Sequence, residues 1–185
     1  IGSAQDHKCV GENETGQNTG GMGAYSPSPI INKSLEKKII NKIVKPTLIA
    51  LSTKNSSYTG FLYVGLMVKN NEPYLIEYNV RMGDPECQVI MPRLKTDLVK
   101  ILIAALENKL NKIKIKWNKN KCMTTVLCAN GYPNKYKINK FINLEQVKLD
   151  KNSFIFHAGT KTIDGSLVSN GGRVLNIVLL GNSFS

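Results

Sequence analysis

Residues 74–88, Tyr-Leu-Ile-Glu-Tyr-Asn-Val-Arg-Met-Gly-Asp-Pro-Glu-Cys-Gln, narrow most what this chain can fold into. The first half reads as a strand in which Glu77, Asn79 and Arg81 fall on alternate positions. Alternate residues of a strand share one face. A carboxylate, an amide oxygen and a guanidinium therefore stand together, while Ile76, Tyr78 and Val80 point the other way. Residues 58–68 are β-rich and apolar on both faces, which predicts a central strand. Asn70-Asn71 predicts a turn between the two, so they should form an antiparallel hairpin. Gly83-Asp84-Pro85 ends the second strand and leaves Asp84 and Glu86 at its mouth. Hard oxygens beside a fixed positive fork suit Mg²⁺ and phosphate. The same alternation also suits a plain solvated strand face, and the segment alone does not separate the two.

The flanking chain fills in an α+β pattern. Residues 5–29 are loop-rich, with Gly11, Gly16, Gly20, Gly21, Gly23, Pro27 and Pro29, and the run 16–23 clusters unobstructed backbone amides. Such amides can form an anion-binding concavity, although a pair of tight turns has the same composition. No Gly-Lys-Ser/Thr follows, so this is not a P-loop. Residues 32–52 read as a helix capped by Asn32, with a core-facing stripe of Leu35, Ile39, Ile43, Val44, Leu48 and Leu51 that Pro46 should kink or split. A second helix is expected from Thr96, its cap, to Lys109. Residues 123–128, 154–157 and 173–180 read as strands, and Asp164-Gly165 marks a hairpin. His157, within an apolar strand, reads as a core or interface histidine.

The net charge of +12 invites a polyanion-binding reading, yet of 25 basic residues only Arg81, Arg93 and Arg173 are arginines. Base readout and bidentate phosphate contacts favour Arg, so the charge does not point to nucleic acid. The Lys-rich stretch 109–121 around Trp117 reads as a solvated connector. Cys9, Cys87, Cys122 and Cys128 lack metal-site spacing. In a chain with no secretory signal and no long apolar run, they read as reduced thiols of a cytoplasmic protein.

Taken together, several segments closely resemble the phosphoribosylamine–glycine ligase family, ATP-grasp enzymes also called glycinamide ribonucleotide synthetases. They are Gln5-Asp6-His7-Lys8, Asn18-Thr19-Gly20-Gly21-Met22-Gly23-Ala24-Tyr25-Ser26-Pro27 and Tyr58-Thr59-Gly60-Phe61-Leu62-Tyr63. With them go Glu77-Tyr78-Asn79-Val80-Arg81, Gly83-Asp84-Pro85-Glu86, Phe156-His157-Ala158-Gly159-Thr160 and Asn170-Gly171-Gly172-Arg173-Val174-Leu175. The resemblance runs in order through essentially the whole chain.

It implies an internal piece of a longer ligase, inactive alone. Residues 1–112 would be the second half of the ATP-grasp region, 113–121 a connector, and 122–185 most of a β-rich C-terminal domain. It also implies ligation of glycine to 5-phosphoribosylamine at the expense of ATP, through a glycyl phosphate, with no membrane or nucleic-acid partner. Glu77 and Asn79 would hold Mg²⁺ or Mn²⁺, and Arg81 would stabilise charge on the transferred group. Asp6, Lys8, Asn18, Thr19, Gly20, Gly21, Asp84, Pro85 and Glu86 would bind substrate, and adenine contacts would lie upstream of the chain. Three positions depart from the family pattern: Cys9 for Arg, Gln17 for Pro and Cys87 for Thr. Two rivals stay open: another ATP-grasp ligase or carboxylase of purine synthesis, which would lack the Asn-Thr-Gly-Gly-Met-Gly-Ala-Tyr run, and a basic polyanion-binding module, which would bind nucleic acid salt-dependently.

Overall fold

A computed structural model describes residues 2–184. It has the α+β architecture expected from the sequence and divides into two compact units. One gathers Ile1–Pro27, Asp84–Arg93 and Asn118–Ser185; the other gathers Ser28–Gly83 and Leu94–Trp117. These units do not follow the expected boundaries at 112 and 122, because the N-terminal strands hydrogen-bond into the same sheet as the C-terminal ones.

In the first unit, β1 (Gln5–Gly11) and β2 (Thr15–Ser26) form a long hairpin across the stretch expected to be loop. Glycine does not forbid a strand when both edges are paired. Here β2 pairs with β1 on one side and, through Gly23–Ser26, with Cys122–Thr125 on the other. The irregularity read from the glycines survives as register shifts at Cys9, opposite which the residues 19–22 bulge out.

The five-stranded antiparallel sheet has the order β1-β2-β5-β9-β6, where β5 is Lys121–Cys128, β6 Ser153–His157 and β9 Arg173–Gly181. Along β5, Cys122, Thr124 and Val126 are buried while Met123 and Leu127 are exposed, the period-2 signature of a half-buried strand. Ala24, Val89, Cys122 and Val178 form the core, with Val89 supplied by the short helix α3 (Glu86–Ile90). Arg93 is buried just beyond it and donates to Ser26 Oγ at 2.7 Å and the Asn120 carbonyl at 2.9 Å. A side hairpin, β7 (Thr160–Ile163) and β8 (Ser166–Ser169), turns at Asp164-Gly165, both at positive φ. His157 is exposed at the end of edge strand β6, its Nδ1 3.0 Å from Thr160 Oγ1, so of the expected core or interface histidine the core alternative does not hold.

The second unit begins with α1 (Lys33–Ile39), capped by Asn32, whose Oδ1 accepts from the Leu35 N–H at 2.9 Å. Pro46 does not break the helical run. A π-helical turn at Ile40–Val44 runs directly into α2 (Lys45–Thr53), so Pro46 follows immediately on the irregular turn rather than interrupting regular α-helix. The wider turn shifts the helical phase, and the predicted stripe weakens along the run: Leu35 and Ile39 are buried, Ile43, Val44 and Leu51 half-buried, and Leu48 exposed.

β3 (Tyr63–Lys69) and β4 (Glu72–Asn79) form the expected antiparallel hairpin, with Asn70 and Asn71 both at positive φ in its turn. Among the described residues β3 pairs only with β4, so it is not a central strand. Lys38 and Lys42 on the helical run both bridge to Glu72, whose carboxyl they hold below its usual range. The last helix, α4 (Leu98–Leu106), is capped by Asp97, which accepts from the Val99 and Lys100 amides; Thr96, the expected cap, instead accepts from the Lys116 N–H. No described helix is long and apolar enough to cross a membrane.

Candidate substrate and metal sites

The candidate residues fall into two groups, one on each unit. On β4, Glu77 pairs with Gly65 and Asn79 with Tyr63, so the two side chains stand on one face, with the Asn79 amide 3.1 Å from Glu77 Oε1. The register slips between Gly65 and Leu66, which leaves Ile76 as an extra residue just before them. Arg81 does not extend this row. The strand ends at Asn79, and the Arg81 guanidinium donates to the neighbouring Met82 carbonyl at 2.9 Å.

The pair fits a hard divalent cation. The Asn79 amide nitrogen donates to Glu77 Oε1 at 3.1 Å, and rotating that amide would present its oxygen beside the carboxylate instead. Two ligands from one side leave the remaining positions to water and phosphate, the arrangement Mg²⁺ favours over an all-protein cage. Among the described residues no cluster of three His, Cys, Asp or Glu side chains offers such a cage.

The second group gathers around the bulge in β2. Thr19 Oγ1 donates to the Lys8 carbonyl at 2.8 Å and accepts from the Gly21 N–H at 3.0 Å. The Asn18 side chain accepts from the Cys9 thiol at 3.4 Å. Gly21 has φ +124°, and a Cβ there would lie 2.4 Å from Pro85 Cδ and 2.8 Å from Asp6 Oδ1. Glycine is thus required where the bulge presses on the Asp84-Pro85 turn.

Asp6 is only 9% exposed, and neither carboxylate oxygen accepts a hydrogen bond, although Lys8 Nζ lies 2.5 Å from Oδ2. The ion-pair contact has the distance of a bond without its direction, so Asp6 keeps acceptor capacity. Asp84 is half exposed and already engaged, Oδ1 by Gln88 Nε2 at 2.8 Å and Oδ2 by Arg173 Nη2 at 2.9 Å. Glu86, expected beside Asp84 at the mouth of the strand, is buried in the first turn of α3. Burial, then the charges of Asp84 and Glu86, push the Cys87 thiol up, which disfavours the thiolate and any nucleophilic role. A shallow hollow of about 330 Å³ beside His7, Cys9 and residues 11–14 includes none of Asp6, Gly20 or Asp84.

Arg173 and Tyr132 are the site-forming residues that sequence reasoning left out. Arg173 Nη1 donates to the carbonyls of Gly20 at 2.9 Å and Asp84 at 3.0 Å, besides the ion pair of Nη2. Tyr132 accepts the Gly20 N–H at 3.1 Å. The available signal was the scarcity of arginine in a lysine-dominated chain.

Two family models match: the ATP-grasp (A) domain of phosphoribosylglycinamide synthetase over residues 1–87, and the C domain of the same enzyme over 122–185. The chain belongs to the phosphoribosylglycinamide synthetase family. It is 46% identical to a phosphoribosylamine–glycine ligase of Vibrio parahaemolyticus, over all of this chain and 43% of that protein. With a relative of the same name from Vigna unguiculata it shares 47% identity over 97% of this chain and 60% of the relative. A solved phosphoribosylamine–glycine ligase from Thermotoga maritima superposes with a TM-score of 0.84 at 34% identity, covering 98% of this chain and 44% of that one. An L-amino acid ligase from Bacillus licheniformis, at 15% identity and TM-score 0.56, shares the fold. The chain thus spans between 43% and 60% of the length of these phosphoribosylamine–glycine ligase relatives.

Proposed function

We propose that this chain is part of an ATP-dependent carbon–nitrogen ligase that joins glycine to 5-phosphoribosylamine, giving glycinamide ribonucleotide, ADP and phosphate in purine biosynthesis. Family membership supports the reaction class, and the observation that carries the site is the Glu77–Asn79 pair on one strand face. In the first step a glycine carboxylate oxygen attacks the γ-phosphorus of ATP, the bond to the β-phosphate oxygen breaks, and ADP leaves. In the second the amine nitrogen attacks the glycyl carbonyl, the carbon–oxygen bond to phosphate breaks, and the amine loses a proton. A divalent cation, Mg²⁺ or Mn²⁺, held by Glu77 and Asn79 would neutralise charge on the phosphate oxygens.

Arg81, whose guanidinium is exposed and bound only to a neighbouring carbonyl, is free to turn toward the charge that builds on transferred oxygens. Asp6, with unfilled acceptor capacity, and Lys8 are assigned to the amino and carboxylate groups of glycine. Asn18, Thr19, Gly20, Gly21, Asp84 and Pro85 are assigned to the ribosylamine. Asp84 still has a lone pair on each oxygen after engaging Gln88 and Arg173. Glu86 is assigned a supporting role from within α3, not direct contact. A cytoplasmic location is part of the same proposal.

The test is phosphate release from ATP by the purified full-length enzyme, with each substrate omitted in turn. Release that requires both glycine and 5-phosphoribosylamine is expected; release indifferent to glycine would remove this reading.

A further inference from the structure

The peptide group of Gly20 is held on both sides by residues more than a hundred positions away, its N–H by Tyr132 and its carbonyl by Arg173. The same guanidinium ties the main chain and the carboxylate of Asp84, so one side chain fastens the β2 bulge to the Asp84-Pro85 turn. The guanidinium spreads its donors over separate nitrogens in a fixed plane, so Nη1 and Nη2 reach the bulge and the carboxylate together; a lysine ammonium concentrates its three donors on one atom.

The local sequence is built to deliver this grip. A Cβ on Gly20 would come 2.9 Å from Arg173 Cζ, and one on Gly172 would come 2.3 Å from the Tyr132 ring. A Cβ on Gly171 would meet the Gly159 backbone at 3.0 Å. Gly20 and Gly172 thus clear the approach of Arg173 and Tyr132, the two residues that reach the bulge, while Gly171 lets the Gly159 backbone pack close to the start of β9. The amides of Gly20 and Gly21 are therefore occupied by Tyr132 and Thr19, and are not the open anion cradle that the glycine run suggests.

We propose that Tyr132 and Arg173 are positioning residues that set the affinity for the amine substrate by holding Gly20 and Asp84 in register. This rests on the ligase reading above for the substrate's identity, while the grip itself stands on the geometry alone. Neither residue touches substrate; both act through the bulge and through Asp84.

The experiment uses the full-length enzyme with Arg173→Gln, Arg173→Lys and Tyr132→Phe, and two readouts: amide hydrogen exchange over residues 19–22, and kinetic constants for each substrate. Arg173→Gln should speed exchange in the bulge and raise the KM for 5-phosphoribosylamine about tenfold, the scale of a lost charge-assisted bond. The KM for ATP and the kcat should stay within about twofold. Arg173→Lys should fall between Gln and wild type, and Tyr132→Phe should speed Gly20 exchange with a smaller KM effect. Combining Arg173→Gln with Asp84→Asn should cost less than the sum of the two single effects, since the two residues share the link between Nη2 and Oδ2.

Unchanged exchange in Arg173→Gln would overturn the grip. Faster exchange with an unaltered amine-substrate KM, or a parallel rise in all three KM values, would overturn the positioning role. Failure of the ligase reading shows separately, as absence of glycine-dependent turnover in the unsubstituted enzyme, and the exchange arm needs no turnover.

Discussion

Gly21→Ala offers a direct test of how the bulge is built. Two costs can be worked from the structure. The residue sits at φ +124°, where an L side chain is strained by about 1–2 kcal/mol. The new methyl would lie 2.4 Å from Pro85 Cδ and 2.8 Å from Asp6 Oδ1. Pro85 is fully buried and the proline ring cannot rotate away, so backbone must shift, at about 1–3 kcal/mol for overpacking. Together these come to about 2–5 kcal/mol, which for a chain of this length lowers the melting temperature by about 5–15 °C.

Gly165→Ala separates the two costs. Gly165 also has positive φ, at +77°, but nothing lies within 4 Å of a built Cβ. It should carry the backbone term alone, about 1–2 kcal/mol. The gain from a less flexible unfolded chain is common to both substitutions and cancels in the comparison. Thermal unfolding of both variants, followed by far-ultraviolet circular dichroism, gives the difference. If Gly21→Ala melts no lower than Gly165→Ala, the close packing of the bulge on Pro85 and Asp6 is refuted.

Further outcomes follow from the caps, the buried thiol and the arginine just beyond Asn79. Asn32→Ala and Asp97→Ala each remove a side-chain acceptor from a helix N-terminus and should each cost about 1 kcal/mol in urea unfolding. Burial pushes the Cys122 thiol from 9.0 up to about 11. The unfolded chain therefore ionises first, and the stability carried by the neutral thiol is full below pH 9.0 and lost as pH rises through about 11. Wild type should lose melting temperature more steeply across that window than Cys122→Ala, and equal slopes would contradict it. Arg81→Lys keeps the charge but loses the fork, so turnover should fall about tenfold or more with ATP affinity little changed; wild-type turnover would remove Arg81 from the mechanism.

Much of this fold could be read from local chemistry. The β3–β4 and β7–β8 hairpins announce themselves through Asn70-Asn71 and Asp164-Gly165, residues that tolerate the positive φ their turns require. The cap at Asn32 is equally local. What escaped reading depends on partners distant in sequence. The glycine run 16–23 looks like loop until β1 pairs along it and β5 takes up the same strand from Gly23 onward. Leu48 falls off the expected stripe beyond a single π turn that rotates the helix face, a change that residue spacing does not encode. At the candidate site, Glu77 and Asn79 follow from strand alternation, whereas Arg81 lies past the strand's end. Arg173 reaches Gly20 across 153 positions, so no local pattern could have marked it.

The central claim is that Glu77 and Asn79 are the metal-holding face of a glycine-activating ligase. Its most direct test is the Mn²⁺ concentration for half-maximal turnover in full-length wild type, Glu77→Gln and Asn79→Ala. Loss of one ligand of two should raise that concentration by at least about tenfold in each variant, with thermal stability near wild type because both side chains stand on a solvent-facing strand. Metal dependence indistinguishable from wild type in either variant would contradict the account.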